Sequence, residues 1–205
     1  WCDQGDHKDF SITERYDPTN WDRAIWIPDT NPSTPVVTED YVWGKESAVN
    51  FVVNYDPTTG VVSSSLTPAG ILTNQPIPAV ISTTYDTNKA FKSIVIQAKS
   101  DDSTEIQMSN LQINGNALPD VNAIGQHSGL KIMLTDAEQA NGFTITGTAM
   151  MDWEGDKTSH SQERPAIDFI AWDTHEPEND VPEFGVLAAV GVLALAGLFI
   201  VRKRD

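Results

Sequence analysis

The sequence predicts an all-β fold: an antiparallel β-sandwich of jelly-roll-like layout, followed by a single C-terminal transmembrane helix. Three observations carry this. Short apolar runs alternate with a period of two and are separated by turns rich in Pro, Gly, Asn and Asp, the pattern of half-buried strands. No stretch of the body repeats apolar residues at helical spacing long enough for a convincing amphipathic helix. The run from Gly185 to Val201 contains only Val, Leu, Ala, Gly, Phe and Ile, and it ends at Arg202-Lys203-Arg204.

The elements follow in order. Residues 1–35 are polar and turn-rich, with Asp17-Pro18, Pro28, Pro32 and Pro35, yet carry apolar anchors at Phe10, Ile12, Trp21, Ile25, Trp26 and Ile27. One or two strands with long loops are expected there. Asp3, Asp6 and Asp9 recur every third residue; a solvated acidic arm is the plainer reading and a calcium loop the sharper one, because Ca²⁺ takes several carboxylate oxygens. From Ser47 to Tyr55 the alternation puts Val49, Phe51, Val53 and Tyr55 on one face. Asp56-Pro57-Thr58-Thr59-Gly60 is turn chemistry, and Val61 to Leu66 returns, so a β-hairpin with a loop of about five residues is predicted.

Pro68, Gly70, Pro76 and Pro78 interrupt the next stretch, leaving Ile71-Leu72 and Val80-Ile81 as edge-strand material. Phe91 to Ala98 is apolar in both registers, which predicts burial on both faces. Asp101-Asp102-Ser103 is a turn, and its carboxylates are a second weak calcium candidate. Ile106 and Met108 alternate out of phase with Leu111 and Ile113, which predicts a bulge at Asn110. Asn114-Gly115-Asn116 is a turn, residues 119–129 read as a loop, and Leu130 to Leu134 as a short strand. Asp136 to Ala140 reads as one helical turn capped by Asp136. Gly142 to Trp153 and Ala166 to Trp172 read as strands, the second with Ile167, Phe169 and Ala171 on one side. Asp173 to Asp180 is acidic linker. About nine or ten strands packed in two sheets bury one face of each; an open barrel is the alternative.

Composition restricts the function. The net charge of −16 repels phosphates and argues against nucleic-acid binding. A lone cysteine, Cys2, makes no internal disulfide, and no cofactor motif is present; possible calcium is the one exception. The chain does not start with methionine and shows no export signal, so an exported protein would carry one upstream. No usable Asn-x-Ser/Thr site occurs. His7, His127, His160 and His175 form no metal-ligand spacing, and no nucleophile elbow, P-loop or dinucleotide fingerprint occurs. No catalytic residues are assigned, although carboxylates such as Glu154 and Asp168 could meet in space as those of a surface hydrolase do. Of the tryptophans, Trp153 and Trp172 lie in strong strands and read as core. Trp21 and Trp26 lie near loops and are the candidates for stacking on sugar rings.

The tail says where the protein lives. Seventeen residues, 185–201, span roughly 26 Å as a helix, close to a bilayer core of about 30 Å. The basic tip stays cytoplasmic. A helix apolar on all sides fits lipid better than a protein core. Val181-Pro182-Glu183-Phe184, the apolar run and the basic tip together resemble the C-terminal sorting signal of the PEP-CTERM type in bacteria, or its archaeal PEF-CTERM variant, which Phe184 favours. That resemblance implies processing near Pro182, Glu183 and Phe184 by an exosortase or archaeosortase, with transfer to another surface anchor. An ordinary permanent tail anchor is the alternative.

The body is similar to the W-type choice-of-anchor surface domains, through Asn50-Phe51 to Tyr55-Asp56, Thr59-Gly60, Leu111 to Gly115 and Gly142 to Gly147. This resemblance implies surface location and no particular activity. The expected organisation is therefore a sandwich ectodomain at 1–172, an acidic linker at 173–181 and an anchor signal at 182–205. The expected function is that of an exported, non-enzymatic cell-surface protein with a structural, adhesive or matrix role. Its expected partners are the membrane, a sortase-like enzyme, and polysaccharide or neighbouring surface proteins. A carbohydrate-binding module and a surface hydrolase are the rivals.

Overall fold

The computed structural model describes residues 8–17, 21–27, 34–69, 78–85, 91–100, 102–154, 165–172 and 183–185. Alternating sequence in these residues becomes two sheets. The first contains β1 (Lys8–Arg15), β2 (Arg23–Trp26) and β3 (Val37–Glu39). The second holds the meander of β4 (Val49–Asp56), β5 (Val61–Pro68) and β6 (Ala79–Thr84). The chain then crosses repeatedly between sheets. β7 (Ser93–Lys99) returns to the first; β8 (Thr104–Ile113), β9 (Asn116–Ala117) and β10 (Val121–Ile124) belong to the second. β11 (Ser128–Met133) joins the first, β12 (Phe143–Trp153) the second, and β13 (Ala166–Trp172) and β14 (Glu183–Gly185) the first.

The strand orders are β14-β11-β7-β13-β1-β2-β3 and β10-β8-β12-β4-β5-β6. All pairs are antiparallel except β14 on β11. One apolar core lies between the sheets, and aromatic rings cross it: Phe51 of β4 packs on Phe169 of β13 with centroids 5.2 Å apart. Phe10 of β1 meets Phe91 edge-on at 5.1 Å. Such tilted and edge contacts suit the ring quadrupoles.

The predicted hairpin is present. Val49, Phe51, Val53 and Tyr55 are buried, and β4 pairs with β5 from Val49↔Pro68 to Asp56↔Val61. Asp56 holds the turn by accepting from Thr58 N at 2.8 Å and from Thr59 Oγ1 at 2.7 Å. β6 lies at a sheet edge, and β7 is buried on both faces, as its two apolar registers predict. The bulge falls where expected: Asn110 has φ 54°, and the β12–β8 register shifts between Thr146 and Thr148. Opposite it, Gly147 has no room for a side chain, because a Cβ would come within 2.7 Å of Leu111 Cδ2 and Phe51 Cζ. The Asn114-Gly115 turn uses positive φ at both residues, as tight hairpins require.

The structure corrects four expectations. Among the described residues there are fourteen strands, several of them two to four residues long, where nine or ten were expected; strands this short carry no periodic signal. The stretch 119–129 is not all loop, since Val121 and Ala123 are buried in β10 against β8. The cap of α1 (Asp136–Asn141) is Thr135, not Asp136: Thr135 and Glu138 form a reciprocal capping box. Asp9 is no part of a solvated arm; it lies buried in β1 and accepts from Tyr85 OH at 3.0 Å. The linker 173–181 lies outside the described residues, as do 186–205 of the tail.

Candidate functional site

The densest polar cluster lies inside the sandwich. β1 pairs with β2 so that Ile12 faces Ile25 and, two residues along, Glu14 faces Arg23. Period two therefore points Glu14 and Arg23 into the interior with the two isoleucines. Arg23 is 0% exposed and Glu14 1%. Arg23 Nε lies 2.8 Å from Glu14 Oε2 and Nη2 lies 3.2 Å from Oε1, a forked ion pair. Nη1 donates to Glu39 Oε2 at 2.9 Å, and Nη2 donates to Ser64 O at 3.0 Å. Ser64 belongs to the opposite sheet, and its hydroxyl donates to Glu14 Oε1 at 2.6 Å. The cluster thus bolts the two sheets together. Burial pushes the Glu14 carboxyl above its ordinary range, against the pull of Arg23. Every Arg23 nitrogen has a protein partner, which suits a clamp better than a binding site.

Asp22 forms a second node. Its Oδ1 accepts from Asp17 N at 2.8 Å and its Oδ2 from Tyr41 N at 3.0 Å. One carboxyl therefore ties the β1–β2 connection to the segment after β3. Burial pushes it up to about 7.

The sugar-stacking candidates Trp21 and Trp26 do come together, with centroids 5.8 Å apart and planes at 68°. They do not form an open platform. The Arg15 guanidinium lies 3.5 Å over the Trp21 ring and is held there by Asp17 at 3.0 Å. One stacking face of Trp21 is therefore occupied. Trp153 and Trp172 are buried, as expected of core residues.

Asp168 lies in β13 of the first sheet, whereas Glu154 lies just past β12 of the second. Asp168 accepts from Thr13 Oγ1 at 2.7 Å and forms an ion pair with Lys99. Asp102 is exposed in a turn, and Asp3, Asp6 and Asp101 lie outside the described residues. Among the described residues no three His, Cys, Asp or Glu side chains gather as metal ligands. Of the sorting motif, Glu183 and Phe184 lie in β14, whose backbone pairs Lys131↔Glu183 and Ile132↔Phe184. Pro182, Arg202, Lys203 and Arg204 lie outside the described residues. No described helix is long and apolar enough to cross a membrane.

Sequence reasoning missed the outer face of the second sheet. Strand register assembles it in rows. One row runs Thr144–Asn54–Ser63–Ser82. The next runs Gln112–Thr146–Val52–Ser65–Val80. A third runs Ser109–Thr148–Asn50–Thr67. None of these side chains is charged. Among the described residues of these strands, charge appears at the ends of the face, at Asp56 and at Glu105 and Asp152, the latter paired with Lys45 at 3.4 Å. The signal was present as polar residues alternating with the core positions, but row assembly needs the register of five strands at once.

No family model matches the chain, and no curated protein is similar to it.

Proposed function

We propose that this chain is a cell-surface protein whose β-sandwich stands outside the membrane in a structural or adhesive role, held by its C-terminal tail. The observation that carries the reading is the uncharged run 185–201 ending in Arg202-Lys203-Arg204. As a helix, the seventeen residues 185–201 span roughly 26 Å, close to a bilayer core of about 30 Å. The cluster Arg202-Lys203-Arg204 favours the cytoplasmic side. Pro182, Glu183 and Phe184 are the recognition element for a processing enzyme of the exosortase or archaeosortase kind. A sandwich clamped internally by Arg23 and Glu14 suits a durable surface module.

The experiment is mass spectrometry of the mature C-terminus from membrane and surface fractions of the native cell. Loss of residues beyond the Pro182 region, with the domain retained at the surface, supports sorting. Retention of 185–205 in a membrane fraction replaces sorting with a permanent anchor. An intact chain wholly in the cytosol overturns both.

A further inference from the structure

We propose that the outer face of the second sheet is a docking surface for a neutral, hydroxyl-rich polysaccharide. One residue in five of this chain is charged and the net charge is −16, and charged residues belong overwhelmingly to surfaces. Three consecutive rows across β8, β12, β4, β5 and β6 nevertheless carry hydroxyl, amide and valine side chains only. A solvent-facing sheet that had only to stay soluble would interleave Lys and Glu here.

The face is ordered before any ligand arrives. Thr144 Oγ1 donates to Asn54 Oδ1 at 2.8 Å, and Thr148 Oγ1 donates to Asn50 Oδ1 at 3.0 Å. These bonds commit the two amide oxygens and leave the Nδ2 groups as the donors these asparagines present. Fixing rotamers in advance lowers the entropy cost of binding. Val52, 39% exposed, and Val80, 52% exposed, add apolar contacts for the C–H faces of sugar rings.

Charge selects the occupant. Anionic polymers are repelled by the −16 field, and a basic partner would seek the carboxylates, not a face that lacks them. A second copy brings its own −16. A neutral polymer of hydroxyls meets no repulsion and matches the donors and acceptors row by row. This deepens the adhesive reading by naming the partner. It is tested on purified protein, so its outcome is independent of where the tail places the chain.

The test is retention of the full chain, purified in neutral detergent, on insoluble cellulose and chitin, with polygalacturonate as the anionic control. The wild type is expected to be retained by at least one neutral polymer and not by polygalacturonate. Thr146→Glu with Ser65→Glu, which puts charge into the middle row, is expected to abolish retention while leaving the melting temperature near that of the wild type. Trp21→Ala is expected to leave retention unchanged. If that double variant loses its fold, Asn50→Ala with Asn54→Ala serves in its place and is expected to weaken retention. Three results overturn the proposal: no retention of the wild type on either neutral polymer, retention unchanged in a folded variant of the face, or a wild-type dimer that the same variant dissociates.

Discussion

Arg23 of β2 and Glu14 of the neighbouring β1 form a forked ion pair inside the sandwich, 2.8 Å from Nε to Oε2 and 3.2 Å from Nη2 to Oε1, with both side chains buried. Removing one partner leaves a buried charge without compensation, at about 3–5 kcal/mol. Arg23→Met is therefore expected to lower the urea midpoint sharply. Arg23→Met combined with Glu14→Leu is expected to be more stable than Arg23→Met alone. Equal midpoints for the single and double variants would contradict the pairing.

Stability should fall as pH rises through neutrality. The Asp22 carboxyl is held up at about 7, chiefly by burial, against an ordinary value of about 3.9. The folded state thus binds the proton more tightly than the unfolded chain. The resulting stabilisation is full below about pH 4 and is lost as pH passes about 7. Glu14, also raised by burial, acts in the same sense. Asp40 and Glu14 push the Asp22 value upward and Arg15 pulls it down. Melting temperatures between about pH 5 and pH 8 should therefore decline, and Asp22→Asn should decline less steeply. Parallel slopes for the two proteins would exclude Asp22 as the source.

Gly147→Ala should destabilise by about 1–3 kcal/mol, because the added methyl meets Leu111 and Phe51 at 2.7 Å in a filled core. Thr146→Ala, one residue away on the outer face, should change stability by no more than about 0.5 kcal/mol. Urea unfolding of the two variants side by side checks the contrast.

Leu193→Lys puts an ammonium near the middle of the apolar run, at about 2.5–3.5 kcal/mol on insertion scales. Carbonate-resistant membrane retention is expected to drop. Pro182→Ala with Glu183→Ala should leave insertion intact and leave the tail uncut if a sortase-like enzyme reads the motif. Cleavage at the wild-type level in that variant would remove the sorting role.

Local chemistry carried much of this fold in the sequence. Period-two alternation marked β4, β5 and β12, because their side chains point alternately to core and solvent. A run apolar in both registers marked β7, whereas β13, read with one apolar side, is buried along its whole length. Asp-Pro-Thr-Thr-Gly and Asn-Gly marked their turns, because those residues accept the backbone angles a turn needs. The Asn110 bulge was legible as a change of phase. The apolar tail declared itself by composition alone.

The tertiary structure decided what depends on strands meeting. Glu14 and Arg23 look like ordinary surface charges in sequence. Only the β1–β2 register turns both inward, and only the facing sheet supplies Ser64. Beside this pairing Arg15, held by Asp17, lies over Trp21 and closes a stacking face that sequence left open. The uncharged rows on the second sheet arise from five strands lying side by side, with residues as distant in sequence as Asn54 and Thr144 becoming neighbours. A one-residue slip in any of these pairs would send its side chains to the opposite face. Burial of the core positions on both sheets is what holds the register, and that energy belongs to the assembled sandwich, not to any one segment.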